Sequence, residues 1–408
     1  MVKNSGFTSV LISLCVLFAA AVSLTDQLNS VALYAAIPIA FLLSVAHSRI
    51  LAINNYFRLY IYLCLWLLVT SFFAIDTNVA FREMRQVLGA FLLSYIVSAS
   101  ACNDKTKPWM YMAFITLYLS AIFYANIHIL YVGWDISGNE RANDEVLNAN
   151  KLAYYTFYAT IAFYILAELI TSNRIINKSF RVLFLAMIPL SFWIALVTAS
   201  RQVLIIQIPT IVILGYIRYF RGNSAIKTII PLLLVIGVAI FAARRVENIY
   251  NDSYLAARNE ISLSEDTRPK LMANAIQVGL EHPFVGVGPG NFGLISFNKH
   301  YSHCTYTELF ANTGLLGFIL YAVLVFKLLI TNYRRYRKTN DLHYMVFACF
   351  ALMFIAYNFF YVFYKDIWLT SFFFLVASDS ENYYRRAKKI PKTKYGDYED
   401  NSIAQERR

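Results

Sequence analysis

The sequence has little charge for its length. Only 15% of its 408 residues are charged, whereas a soluble domain carries about 25%. This composition argues against a water-soluble enzyme, which needs charged side chains over its surface. The five cysteines offer no paired framework, which excludes a disulfide scaffold and a CxxC zinc site.

Apolar and aromatic residues take the place of charge. They make up 59% of the chain, which includes 32 Phe and 30 Tyr. A helix that crosses a bilayer needs about 20 mostly apolar residues. We therefore predict an all-α integral membrane protein with about twelve transmembrane helices, near 7–24, 31–46, 57–74, 86–101, 109–130, 152–171, 182–199, 203–219, 228–243, 314–330, 343–362 and 367–378.

We attribute the net charge of +12 to the orientation of the chain in the membrane and not to a nucleic-acid partner. Lys and Arg favour cytoplasmic loops, and every alternate loop is basic if both termini lie in the cytoplasm. This topology divides the chain into helices 1–9 over 1–243, a periplasmic loop domain with the catalytic motifs over 244–313, helices 10–12 over 314–378, and a basic cytoplasmic tail over 379–408.

Fewer basic residues lie in the predicted periplasmic segments than in the cytoplasmic ones, and most of these periplasmic residues are Arg. Guanidinium binds phosphate in a bidentate way and keeps its charge when desolvated, so these residues suit a phosphate-containing lipid. The alternative is that they are solvated or paired with external carboxylates. Arg201 differs, because it lies in a three-residue break between two apolar spans, where an unpaired charge is costly.

Three of the six histidines lie in the large loop, and an imidazole is suited to proton transfer near neutral pH. His303 stands where the loop re-enters the membrane, and Glu308 follows about one helical turn later. Glu308 either orients His303 or the acceptor, or is a structural cap. No third ligand stands at zinc spacing and no Asp-x-Asp pair is present, so we expect neither a metal nor a cofactor.

The loop also has local structure. Apolar Leu271, Ala275, Val278 and Leu280 predict a helix over 268–281 that ends at His282-Pro283. The glycines at 286, 288 and 290 predict turns, since their spacing does not fit a dinucleotide fingerprint. A second helix should run from 303 into the span that begins at 314.

Two motifs carry a family resemblance. HPFVGVGPGNF at 282–292, preceded by Arg268, and SHCTYTELFANTGLLG at 302–317 resemble the bacterial O-antigen ligase and polysaccharide polymerase superfamily. Ser200-Arg201 resembles its Ser-Arg pair, and the loop at 131–150, with Arg141 and Asn150, fits more loosely. The chain departs from the pattern at Cys304, where Asn is commoner, and at Thr307, where Leu is commoner.

The resemblance implies glycosyl transfer at the periplasmic face of the bacterial inner membrane, without metal. The implied donor is an undecaprenyl-pyrophosphate-linked glycan. The acceptor is a second lipid-linked unit for a polymerase, or the lipid A–core for a ligase, and a regulator of chain length is a further implied partner. We favour the polymerase, because the tyrosine-rich re-entry motif looks more like polymerases.

The catalytic residues predicted from these motifs are His303 as general base, with Arg201 and Arg268 on the leaving pyrophosphate. Substrate binding is assigned to the four residues Arg141, Glu308, Arg258 and Asn150. A rival from another class is a transporter of a polyanionic lipid. It would need ionisable residues along the span centres, where the sequence has only Glu168 near an end and Lys327.

Overall fold

The computed structural model describes residues 5–22, 31–47, 54–103, 106–132, 149–170, 174–198, 206–216 and 267–389. Most of these residues are helical, and no strand occurs among them, which confirms the all-α class. The helices are α1 (Ser5–Val22), α2 (Ile37–His47, after a π-helical turn at Ala32–Ala36), α3 (Asn55–Ser71), α4 (Thr77–Ala101), α5 (Lys107–Val132), α6 (Ala149–Ile165, followed by a π-helical turn at Leu166–Ile170), α7 (Arg174–Thr198), α8 (Ile208–Gly215), α9 (Thr267–Glu281), α10 (Phe292–Ile295), α11 (Thr305–Thr339), α12 (Leu342–Tyr357) and α13 (Ile367–Lys389).

Eleven of the twelve predicted apolar segments overlap helices of the described part, although 343–362 continues past the helix end at Tyr357. The segment 228–243 lies outside the described residues. Within the described part, α4 and α11 are long and apolar enough to cross a membrane. The count of twelve spans and the side on which each loop lies stay predictions.

Caps explain where two of these helices begin. Asn54 accepts hydrogen bonds from the backbone N–H groups of Tyr56 and Phe57 at the start of α3. Asp76 does the same for Asn78 and Val79 at the start of α4. A side-chain oxygen at this position satisfies N–H groups that have no partner within the helix.

Aromatic side chains fill the core between the helices. The run Phe372, Phe373 and Phe374 in α13 is buried. Tyr158 of α6 stacks edge-on to Phe372 at 5.0 Å between ring centroids, and Tyr60 of α3 lies 4.6 Å from Phe374. Helix α13 therefore lies within the bundle, where it packs along α4 and also contacts α12, α3 and α5.

The predicted cytoplasmic tail begins inside this helix. Helix α13 runs past Ser378 to Lys389, and Asp379 is buried against Lys107, with 2.7 Å between Oδ1 and Nζ. Glu381 pairs with Arg335 at 3.0 Å. The first part of the 379–408 segment thus belongs to the helical bundle, while residues 390–408 lie outside the described part.

Helix α9 confirms the prediction for 268–281 and packs against α11. Leu271, Ala275 and Val278 are buried as their spacing predicts, but Leu280 is 68% exposed. It lies two residues after Val278, which places it on the far side of a helix with 3.6 residues per turn. Gly279 lies in the interface instead, against the ring of Phe310.

Candidate functional site

The 282–292 motif is a turn that docks on the start of α11. The N–H groups of Val287 and Gly288 donate to the carbonyls of Ala311 and Asn312, both at 2.9 Å. On its other side, the N–H of Ile75 donates to the Val287 carbonyl at 3.1 Å. The turn therefore joins the start of α11 to the α3–α4 connection, which is far away along the chain.

Two glycines make this approach possible. Gly288 has a φ of +96°, and a side chain there would overlap Ala74. Gly314 has a φ of +68° and marks a kink inside α11, where a side chain would overlap the Phe284 carbonyl. Gly286, Gly288 and Gly290 all have the positive φ values that glycine tolerates, so the predicted turn is confirmed.

Two buried asparagines tie the site together. Asn291 accepts from the backbone N–H of Asp76 at 2.7 Å and donates to its carbonyl at 3.1 Å. Asn312 accepts from the N–H of Phe292 at 2.9 Å and donates to Oε1 of Glu308 at 3.0 Å. Sequence reasoning missed both, although an Asn inside each motif was a signal that could have found them.

His303 is held in a left-handed backbone conformation, with a φ of 59°. A non-glycine residue rarely adopts this conformation, and it persists where its surroundings enforce it. Glu308 Oε2 accepts from the Ser302 N–H at 2.7 Å, and Ser302 Oγ accepts from the Cys304 N–H at 3.3 Å. The residues on both sides of His303 are thus fixed by hydrogen bonds.

The His303 ring packs on Tyr301. Their ring centroids lie 4.1 Å apart, with 46° between the planes. Both side chains are half-buried at the surface of the site. A fixed backbone and a packed ring orient an imidazole before any substrate arrives, which is what a general base requires.

Both carboxylate oxygens of Glu308 face groups of its own motif. One accepts from the backbone of Ser302 and the other from the side chain of Asn312. Glu308 is 1% exposed. This arrangement favours the structural cap over a direct substrate contact, and the predicted role of Glu308 in substrate binding stays a prediction.

The other predicted site residues divide into two groups. Arg268 is half-buried in the first turn of α9, the helix that packs on α11. Asn150 is the second residue of α6. Arg201, Arg141 and Arg258 lie outside the described residues, so their predicted roles stay predictions.

The segment 358–366, between α12 and α13, forms another wall of the site. The backbone N–H of Thr305 donates to the Asn358 carbonyl at 2.8 Å, and its hydroxyl donates to the Tyr361 carbonyl at 2.7 Å. The same hydroxyl accepts from the Phe363 N–H at 2.9 Å. Thr305, the first residue of α11, thereby anchors this segment close to His303 in the chain.

The last two residues of this segment each form an ion pair. Lys365 binds Glu83 of α4 through its ammonium and Oε1, and Asp366 binds Lys151 of α6 at 3.1 Å. The two partners in each pair lie far apart along the chain, so the sequence did not reveal the pairing.

A metal site is not indicated by the described part of the chain, where no three His, Cys, Asp or Glu side chains come together. The site instead offers fixed backbone, an imidazole and paired charges.

Comparison with known proteins places this site in a family. The family model for the O-antigen ligase matches residues 182–322. Residues 182–322 are therefore similar to the O-antigen ligase family. The match confirms the predicted superfamily, which is membrane-associated. A search of curated proteins finds no match.

The matched domain contains both motifs and the kinked start of α11. It also contains Arg201, Arg258, Arg268 and His303. The ion pairs at Lys365 and Lys151 lie beyond its ends, although the fold brings that segment against Thr305. The family implies glycosyl transfer of the O-antigen ligase or polymerase type.

Proposed function

We propose that this protein is a repeat-unit polymerase for O-antigen, capsule or exopolysaccharide. It would transfer an undecaprenyl-pyrophosphate-linked glycan at the periplasmic face of the inner membrane. The observation that carries the proposal is the fixed left-handed His303 inside a matched O-antigen ligase domain. A ligase that attaches the glycan to lipid A–core is the second candidate, favoured by the description of the matched family.

In the proposed reaction, a hydroxyl oxygen of the acceptor sugar attacks the anomeric carbon of the donor. The bond from that carbon to the pyrophosphate oxygen breaks, and the hydroxyl proton passes to His303. Attack from the face opposite the leaving group inverts the anomeric configuration. The product is a longer glycan, and undecaprenyl pyrophosphate leaves.

The leaving group develops negative charge, which fixed cations stabilise in a site with little water. Arg201 and Arg268 are the proposed partners, with Arg141 and Arg258 on the rest of the donor. A guanidinium binds two phosphate oxygens at once. We therefore expect Arg268→Lys to lower the product yield at normal protein levels, because the ammonium keeps the charge but loses the bidentate geometry.

Glycan extraction from a deletion strain tests the proposal. Loss of a polymerase should leave lipid A–core that carries single units. Loss of a ligase should leave long chains on the undecaprenyl carrier and none on the core. Wild-type chain lengths in the O-antigen, capsule and exopolysaccharide fractions of the deletion strain would contradict both candidates.

The transporter alternative is tested with purified protein in detergent, donor and acceptor. A glycosidic product supports the enzyme. Absence of product from folded protein, together with flipping of the lipid in vesicles, would support the transporter. The same assay with EDTA should give unchanged product, since the proposed mechanism uses no metal, and inhibition reversed by a divalent cation would refute that point.

A further inference from the structure

An ion pair outside the matched domain lies one aromatic ring away from the predicted base. Glu83 in the first part of α4 and Lys365 just before α13 are 282 positions apart, yet their side chains bind each other. The Lys365 side chain is 24% exposed and that of Glu83 is 14% exposed. The pair is therefore partly withdrawn from water. In such a lower-dielectric environment, charges interact more strongly with their surroundings.

Lys365 keeps its charge in this position. Burial by itself would lower the pKa of its ammonium, but the nearby carboxylates of Glu83 and Glu308 outweigh burial and raise it. The groups that face Lys365 thus come from α4, from α11 and from the loop that carries Tyr301. Asp366, its neighbour in sequence, is engaged by Lys151 of α6.

The cation also faces an aromatic ring. Nζ of Lys365 lies 5.9 Å from the centroid of the Tyr301 ring, within the range of a cation–π contact. The Tyr301 ring in turn packs on His303 at 4.1 Å. A continuous series of contacts therefore runs from Glu83 through Lys365 and Tyr301 to the imidazole.

We propose that Glu83 and Lys365 are positioning residues, which hold Tyr301 against His303 and so fix the orientation of the imidazole. Glu83 aims the ammonium, the ammonium holds the ring, and the ring limits the motion of His303. This role in catalysis rests on the proposed function, whereas the positioning itself is a property of the free protein.

The direct test measures how fast His303 reacts with diethyl pyrocarbonate, in protein without any glycan. Reaction at each histidine is followed by mass spectrometry of peptides, and exposed His282 serves as the internal standard. Lys365→Met should raise the rate at His303 by about three-fold, the order expected from losing one cation–π contact. The rate at His282 should not change.

Lys151→Met is the matched control. Lys151 has a similar exposure of 27%, forms an ion pair of its own and lies 5.7 Å from a tyrosine ring, that of Tyr155. It does not belong to the series that ends at His303. An equal increase in His303 reactivity from both variants would mean a general loosening of the fold and would overturn the proposal.

Two further variants separate the ammonium from the ion pair. Lys365→Arg keeps a cation that packs well on aromatic rings, so it should keep His303 protected. The exchange Glu83→Lys with Lys365→Glu restores the pair but removes the cation next to Tyr301. It should leave His303 as reactive as Lys365→Met does. If His303 in the exchanged protein reacts as slowly as in the wild type, the ion pair acts on His303 without the cation next to Tyr301, which contradicts the proposal.

The reactivity assay and the product assay fail independently. If wild-type protein forms no glycosidic product, the proposed function is wrong, but the reactivity of His303 still tests the positioning. If Lys365→Met does not accumulate in membranes, Glu83→Gln gives the same test, because it leaves Lys365 in place without its partner. Unchanged His303 reactivity in that variant would overturn the proposal.

Discussion

Asn312 offers the sharpest test of how the site is built. It is completely buried in the first turns of α11. Its side chain bridges the backbone N–H of Phe292, at 2.9 Å, and the carboxylate of Glu308, at 3.0 Å. Glu308 in turn holds the backbone next to His303. Asn312→Ala should therefore destabilise the fold and displace the predicted base together.

The magnitude follows from the partners that the substitution leaves behind. A buried N–H without a partner costs about 1–3 kcal/mol, and a hydrogen bond to a charged group contributes about 1.5–3 kcal/mol. Asn312→Ala should thus lower the free energy of unfolding by roughly 2.5–6 kcal/mol, apart from the small cavity. A displacement of about 1 Å at a catalytic group can cost about a hundred-fold in rate, so we expect product to fall at least about ten-fold.

Asn332 provides a matched control on the same helix. It is also completely buried, donates to the Leu328 carbonyl at 2.9 Å and accepts from the Ser380 hydroxyl at 2.6 Å. The Leu328 carbonyl also belongs to the helix, so Asn332→Ala leaves one hydroxyl without a partner. It removes the same atoms but should cost about 1–3 kcal/mol and leave product formation near the wild-type level.

Equilibrium unfolding in mixed detergent measures both free energies, and product per folded molecule measures the catalytic effect. Asn312→Ala should lose more stability than Asn332→Ala, and only Asn312→Ala should lose product. Equal stability losses would refute the account of the hydrogen bonds. Full product from a destabilised Asn312→Ala protein would refute the link to His303.

The remaining predictions concern catalysis, the turn and acid stability. His303→Ala and Arg201→Ala should abolish product at normal membrane levels of protein, measured by glycan analysis, and wild-type glycan from the first would remove His303 as base. Gly288→Ala and Gly290→Ala should each pay about 1–2 kcal/mol for a left-handed alanine. In unfolding titrations, Gly288→Ala should be less stable than Gly290→Ala by about 1–3 kcal/mol, since only the side chain at 288 overlaps a neighbour. Burial would raise the pKa of Asp341, but hydrogen bonds from neighbouring side chains outweigh it and place the pKa below its ordinary 3.8. The stability from this group is therefore present above pH 3.8 and is lost as pH falls through the lower folded pKa, so Asp341→Asn should flatten the acid limb of an unfolding-versus-pH curve.

Much of the site was visible in the sequence because its signals are local. The helix at Thr267–Glu281 follows from apolar spacing and from the His-Pro that ends it. The turn follows from glycines, since only they take its positive φ values without cost. The two motifs also carry the family, which the match at 182–322 confirms.

Other features of the site needed the packing of distant segments. From the sequence, Glu308 either orients His303 or the acceptor or is a structural cap, and only the structure shows that its oxygens accept from Ser302 and Asn312. Leu280 reads as part of an apolar face, yet it is exposed, because two residues beyond Val278 turn a helical side chain by about 200°.

The sequence by itself determined the class of the chain, the positions of its apolar helices and the two motifs, since composition, periodicity and turn chemistry act over a few residues. Only the tertiary structure decided which charges meet. Glu83, Lys365 and Tyr301 become neighbours because α4 packs along α13 and because Thr305 anchors the segment before α13. Whether a cation is solvated or paired depends on burial and on distance in space, and neither quantity is encoded at any single position of the chain.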